Sequence, residues 1–140
     1  IKTHSEKLTI IDDYAHHPVE VFSVIEAVKS NWTRRLVVIF QPHLYSRTKE
    51  FYKDFAESLL GADVVFITEI FASREKLDTS ITSNNISNHL KKLEHKNVFD
   101  TTTDSVIEDI KNYYNEGDII LTIGAGNIWR YADKLTENMQ

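Results

Sequence analysis

Leu36-Val37-Val38-Ile39-Phe40-Gln41-Pro42-His43-Leu44-Tyr45-Ser46-Arg47 is the stretch that decides how this chain folds. Its first five residues are an unbroken apolar run rich in β-branched side chains. A strand with one solvated face alternates apolar and polar residues, whereas an unbroken run suits a strand buried on both faces, as in a parallel sheet covered by helices. Immediately behind the run comes a polar cluster with a stiffening Pro42. Beyond it, Phe51, Phe55, Ala56 and Leu59 recur at helical spacing, which predicts a helix over about 48–60.

The same strand-then-helix unit repeats on either side. Leu8 to Ile11 reads as a strand, followed by a helix over 19–29 with Val21, Val24, Ile25 and Val28 on one face and Pro18 in its first turn, where a missing N–H costs little. Val64 to Ile67 reads as a third strand. Residues 72–83 lack a period and read as a loop. Ile86, Leu90 and Leu93 mark a helix capped by Ser83 or Asn84, and Val98-Phe99 a short strand. Val106, Ile107, Ile110, Tyr113 and Tyr114 mark a helix begun near Thr103 and stopped by Glu116-Gly117. Ile119 to Ile123 is a last strand, and Ile128, Ala132 and Leu135 mark a closing helix. Strict alternation of this kind predicts an α/β fold, a mostly parallel sheet with helices on both faces in a Rossmann-like three-layer domain. The strand order cannot be read from the pattern.

The chain's 140 residues fit one domain, 41% hydrophobic and 26% charged, with a net charge of −5. Lys and Arg are scattered without a basic stripe, so no nucleic-acid partner is expected. The longest apolar runs fall far short of the roughly 20 residues that span a bilayer, so no membrane partner is expected either. The absence of cysteine fits a reducing compartment, and a cytoplasmic location is the default. Ile1-Lys2-Thr3-His4 has strand character but no start signal, which suggests a domain cut from a longer protein.

Ligands of parallel α/β sheets bind at the carboxyl ends of the strands. Two polar clusters sit there: Asp12-Asp13-Tyr14-Ala15-His16-His17-Pro18 behind the first strand, and Gln41 to Arg47 behind the second. If these strands are neighbours, about 5 Å apart, both clusters share one rim. Arg47 at the mouth of a helix can grip a carboxylate or phosphate through two parallel hydrogen bonds, aided by the positive end of the helix. Asp13 can accept from a ribose hydroxyl, although strand-end solvation and an Asx turn explain such a residue equally simply. Pro18 holds His17 extended, which makes His17 the residue that leads into the helix and His16 the one for the site.

Other chemistries find less support. Asp13, His16 and His43 are zinc-type side chains, but no paired spacing sets two on one face, and no metal site is expected. There is no G-x-S-x-G elbow for a serine hydrolase and no G-x-x-x-x-G-K-[ST] loop. Gly124-Ala125-Gly126-Asn127 reads as a tight strand-to-helix turn, since Trp129 stands where a dinucleotide fingerprint has its third glycine.

Taken together, Asp-Asp-Tyr-Ala-His-His-Pro at 12–18, Phe-Gln-Pro-His-Leu-Tyr-Ser-Arg-Thr at 40–48 and Gly-Asp-Ile-Ile-Leu-Thr-Ile-Gly-Ala-Gly-Asn-Ile at 117–128 resemble the C-terminal domain of the Mur ligase family over nearly the whole chain. The second motif resembles the alanine-adding members more than the peptide-recycling ones. The resemblance implies a three-domain cytoplasmic enzyme of peptidoglycan synthesis that joins L-alanine to UDP-N-acetylmuramate through an acyl phosphate made from ATP. It implies that the N-terminal domain holds the UDP-sugar, and that the central domain holds ATP and most of the magnesium. It implies contacts to L-alanine from His43, Arg47 and His16, and to the nucleotide from Asp13 and Tyr14. Many relatives carry Arg where this chain has Leu44, so Arg47 is expected to bear more of the carboxylate's charge. A peptide-recycling ligase and a non-catalytic nucleotide-binding module are the alternatives.

Overall fold

A computed structural model describes residues 1–139. The elements are β1 (Thr3–His4), β2 (Leu8–Asp13), α1 (Pro18–Asn31), β3 (Leu36–Phe40), α2 (Tyr45–Leu59), β4 (Val64–Ile67), α3 (Asn84–Lys92), β5 (Val98–Asp100), α4 (Val106–Tyr113), β6 (Asp118–Ile123) and α5 (Ile128–Met139). They build one sheet in the order β1-β2-β6-β3-β4-β5, parallel apart from β1. Every residue of β3, β4 and β6 is buried, which is why their sequences show no alternation.

Two apolar cores flank the sheet. On one face Phe40, Ile67, Leu121 and Ile123 pack against Val21 and Ile25 of α1, Phe55 and Leu59 of α2, and Ile86 and Leu90 of α3. On the other, Ile10, Ile39, Phe66 and Ile120 pack against Val106 and Ile110 of α4 and Ile128 and Leu135 of α5. Successive strand residues point to opposite faces, so each central strand feeds both cores.

The structure settles the strand order that the pattern leaves open and corrects two helix boundaries. β2 and β3 are not neighbours: β6 lies between them, pairing Asp13 with Ile123 on one side and Phe40 with Ile123 on the other. Burial pattern reports how deep a strand lies, not which strand lies beside it. α2 begins at Tyr45, three residues early, so Arg47 sits inside its first turn. α4 ends at Tyr113, because Gly117 at φ 96° donates its N–H to Lys7 O and joins the turn into β6 instead of capping the helix.

The amino end of the sheet is held by two arginines. Arg35 makes a bidentate pair with Asp118, with Nε to Oδ1 at 2.8 Å and the second nitrogen to Oδ2 at 2.7 Å. Arg34 donates to the carbonyls of Gly117 and Asp118 and to Thr9 Oγ1. Together they lash the starts of β2, β3 and β6, and the carboxyl ends are left for chemistry.

Candidate functional site

The tip of β3 is fixed from both sides. Gln41 N–H donates to Ile123 O, Phe71 N–H to Pro42 O at 2.8 Å, and Leu44 N–H to Phe71 O at 2.9 Å. The His43 ring lies stacked on Phe71, centroids 5.6 Å apart. Leu44 then turns the chain at φ 73°, a left-handed conformation that costs a non-glycine residue about 1–2 kcal/mol and is characteristic of functional loops. That turn starts α2 abruptly, and Thr48 secures it by donating through both N–H and Oγ1 to Leu44 O.

The floor beneath His43 is the turn after β6. Gln41, buried, donates to Asn127 Oδ1 and accepts the N–H of Ile128, capping α5. A Cβ on Gly126 would lie 2.5 Å from Phe71 Cγ and 2.8 Å from Gln41 Oε1. The turn is therefore tight, as its sequence suggests, and it needs glycine for close approach. Gly126→Ala is expected to displace Phe71 and to cost about 1–3 kcal/mol, read as a lower urea midpoint together with a changed His43 ring environment in NMR spectra.

From β2 comes the second wall. Glu20 Oε1 accepts the N–H groups of His16 and His17, closing the start of α1 with Pro18 at its first position. His16 Nδ1 lies 3.1 Å from Tyr14 O, which can only accept, so Nδ1 is the donor of this pair. The His16 ring is 6.2 Å from that of His43, whereas His17 turns away onto Phe51 at 5.5 Å. Of the two neighbouring histidines, His16 therefore lies beside His43 and His17 does not.

His16 and His43 thus meet although a whole strand separates their parent strands, and Arg47 is near enough for its charge to act on His43. Asp13 and Tyr14 stand beside this cluster, not in it. Asp13 Oδ1 accepts Ala15 N–H in an Asx turn, and both residues line a groove of about 550 Å³ that runs along α1 past Val19, Ser23 and Ala27. Tyr14, largely exposed, links the two regions by setting its ring edge 5.6 Å from His16.

Among the described residues, two buried side-chain atoms have no hydrogen-bond partner: His43 Nδ1 and one terminal guanidinium nitrogen of Arg47. Native proteins pair nearly all such atoms, and each exception calls for an explanation: strain, a bound water or ion, or a functional role. No carboxylate lies within ion-pair distance of Arg47 among the described residues. Desolvation, then the charges of Arg47 and His16, push the His43 pKa below its ordinary 6.5, with Glu75 opposing. At neutral pH His43 is uncharged, and Arg47 carries the local positive charge.

A stability signature follows from the depressed value. Above pH 6.5 His43 is neutral folded or unfolded, and its contribution is complete. As pH falls below 6.5 the unfolded chain takes the proton first, so stability declines until the lowered folded value is passed. Glu20 and Glu75, both held below 4.5, lose their contributions only further down. His43→Gln is expected to flatten urea-midpoint against pH just below 6.5 and to leave the acid limb intact.

Sequence reading missed Glu75 and Phe71, which lie in or beside the aperiodic 72–83 stretch and reach the site through long-range pairing. Gln41 was visible only as part of a motif, with no sign that it caps α5.

The family described as Mur ligase, glutamate ligase domain, matches residues 1–126. The chain belongs to the Mur ligase family. This Mur ligase domain is 42% identical over 137 residues to the UDP-N-acetylmuramate–L-alanine ligase of Caldanaerobacter subterraneus subsp. tengcongensis, covering 98% of this chain and 30% of that protein. It is 39% identical over 137 residues to the enzyme of the same name from Clostridium acetobutylicum, covering 95% and 29%. Its fold superposes on the UDP-N-acetylmuramate–alanine ligase of Thermotoga maritima with a TM-score of 0.80 at 28% identity, over 99% of this chain and 28% of that one. A murein peptide ligase from Psychrobacter arcticus shares the fold at a TM-score of 0.72 and 20% identity, over 94% and 27%. The chain spans about three-tenths of the length of its curated relatives.

Proposed function

We propose that this Mur ligase domain is the amino-acid-receiving part of an ATP-dependent ligase that joins L-alanine to UDP-N-acetylmuramate. The observation that carries the reading is the pair of unpartnered buried nitrogens on His43 and Arg47. A guanidinium in the first turn of a helix and a neutral imidazole just before it suit a carboxylate far better than an apolar ligand. The alanine-ligase relatives support the choice of acceptor.

In this reading Arg47 takes the L-alanine carboxylate, His43 adds a neutral hydrogen bond, and His16 stands alongside. Gripping the carboxylate fixes the acceptor's amino group toward the acyl phosphate, which supplies orientation, a large share of the barrier reduction in two-substrate reactions. Asp13 and Tyr14, on the separate groove, face the nucleotide. In this reading, which follows the family resemblance, ATP and magnesium are held mainly by the central domain; this chain carries no G-x-x-x-x-G-K-[ST] loop. The rest of the ligase, with its UDP-sugar and nucleotide domains, is then the partner of this one, in the cytoplasm where ATP is made. Among the described residues no helix is long and apolar enough to cross a membrane.

The test is product analysis with the full-length ligase. UDP-N-acetylmuramoyl-L-alanine, ADP and phosphate are expected from UDP-N-acetylmuramate, L-alanine and ATP. Turnover of a peptide acceptor in preference to L-alanine would reassign the domain to the recycling ligases. The 140-residue chain alone is expected to show no ATP turnover, since the electrostatic stabilisation of the reacting phosphate needs groups it lacks.

A further inference from the structure

We propose that Glu75 is a positioning residue for the amino-acid site: its carboxylate docks the 72–80 loop on the first turn of α2 and so holds Arg47 and His43 open to the acceptor. The inference rests on the functional reading above.

The helix itself poses the problem that Glu75 solves. α2 has no side-chain cap and no acidic residue in its first turn, yet carries Arg47 there. A cation at the positive end of a helix is unfavourable, and the first N–H groups need acceptors. Glu75, from a different loop, answers both needs. Its Oε1 accepts the Ser46 N–H at 3.2 Å, and its Oε2 accepts the Ser46 hydroxyl. Both oxygens are thereby engaged, so Glu75 sits near Arg47 without pairing with it. Its charge offsets the guanidinium through space and leaves the guanidinium free for an incoming carboxylate.

The surrounding contacts make the arrangement rigid. Phe71 carries the backbone ladder to Pro42 and Leu44 and the stack on His43, and Glu75 N–H returns to Ala72 O. The loop therefore meets the site at the His43 ring, at the backbone and at the α2 start. Glu75 is the last of these, and Lys49 to Asp78 at 3.7 Å is a second charged tie between the same loop and α2; Arg47 and His43 are the groups facing Glu75.

Steady-state kinetics on the full-length ligase, joined to NMR titration of His43 in the 140-residue chain, test the inference. Glu75→Ala is expected to raise KM for L-alanine at least about fivefold while KM for ATP stays within about twofold. Glu75→Gln keeps an acceptor for the Ser46 N–H and should restore KM to within about threefold of wild type. Having lost the charge, it should also lower the His43 midpoint, a change that a purely structural tether would not produce. An unchanged alanine KM in Glu75→Ala, with Arg47→Ala raised, overturns the positioning role and leaves the functional reading standing. An alanine KM unmoved in both variants overturns the functional reading. A His43 midpoint indifferent to Glu75→Gln also overturns the inference, and that measurement stands even if Glu75→Ala fails to fold.

Discussion

Arg47→Ala in the full-length ligase raises KM for L-alanine at least tenfold, about 1.4 kcal/mol or more, with KM for ATP nearly unchanged. The size follows from what Arg47 does in the folded chain. Its guanidinium is charged at every working pH, whereas desolvation first, then the charges of Arg47 and His16, lower the His43 pKa. One of its terminal nitrogens is buried without a partner, so a bound carboxylate would replace nothing that already satisfies it. Leu44 offers no second cation. Arg47→Lys retains the charge but loses the planar fork and should recover only part of the affinity. L-Alaninamide, lacking the carboxylate, should be a poor acceptor for the wild type, and Arg47→Ala should shrink that discrimination. Equal alanine KM in wild type and Arg47→Ala would remove Arg47 from the site.

Arg35→Met should be the most damaging change to stability, lowering it by about 2–4 kcal/mol in urea denaturation. Asp118 is 1% exposed and would retain only the Asn115 N–H at 2.8 Å. Losing one member of a buried pair typically costs about 3–5 kcal/mol; the lower range reflects the Arg35 side chain's partial access to water. The change also removes the guanidinium from above the Tyr113 ring, at 5.2 Å. Adding Asp118→Leu to Arg35→Met should recover part of the loss, because the buried charge goes as well. A shift below about 0.5 kcal/mol for Arg35→Met would mean that water screens the pair.

Much of this was legible before any coordinates. Unbroken runs such as Leu36–Phe40 and Ile119–Ile123 disclosed buried parallel strands because burial on both faces removes alternation. Pro18 separated His16 from His17 because an X-Pro bond restricts the residue before it. The link between Arg35 and Asp118 was invisible, since 83 residues separate them and an acidic and a basic side chain so far apart carry no mutual signal. Glu75 was hidden for a related reason: its partner is a helix start, and nothing in the 72–83 stretch announces which helix it serves. The strand order could not be read, and β6 proves to lie between β2 and β3. The histidines met anyway, because the loops after those strands reach across the narrow turn of Gly124 to Gly126.

That intervening position of β6 has a consequence for how the protein is made. Residues 118–123 leave the ribosome late, yet β6 supplies the hydrogen-bonding edge for both β2 and β3. Until they emerge, β2 has no parallel neighbour, and the two histidine-bearing loops have no common support. Pairings of such long sequence separation form slowly. A nascent chain halted before Asp118 should therefore expose unpaired strand edges and depend on chaperones, whatever the quality of the segments already synthesised.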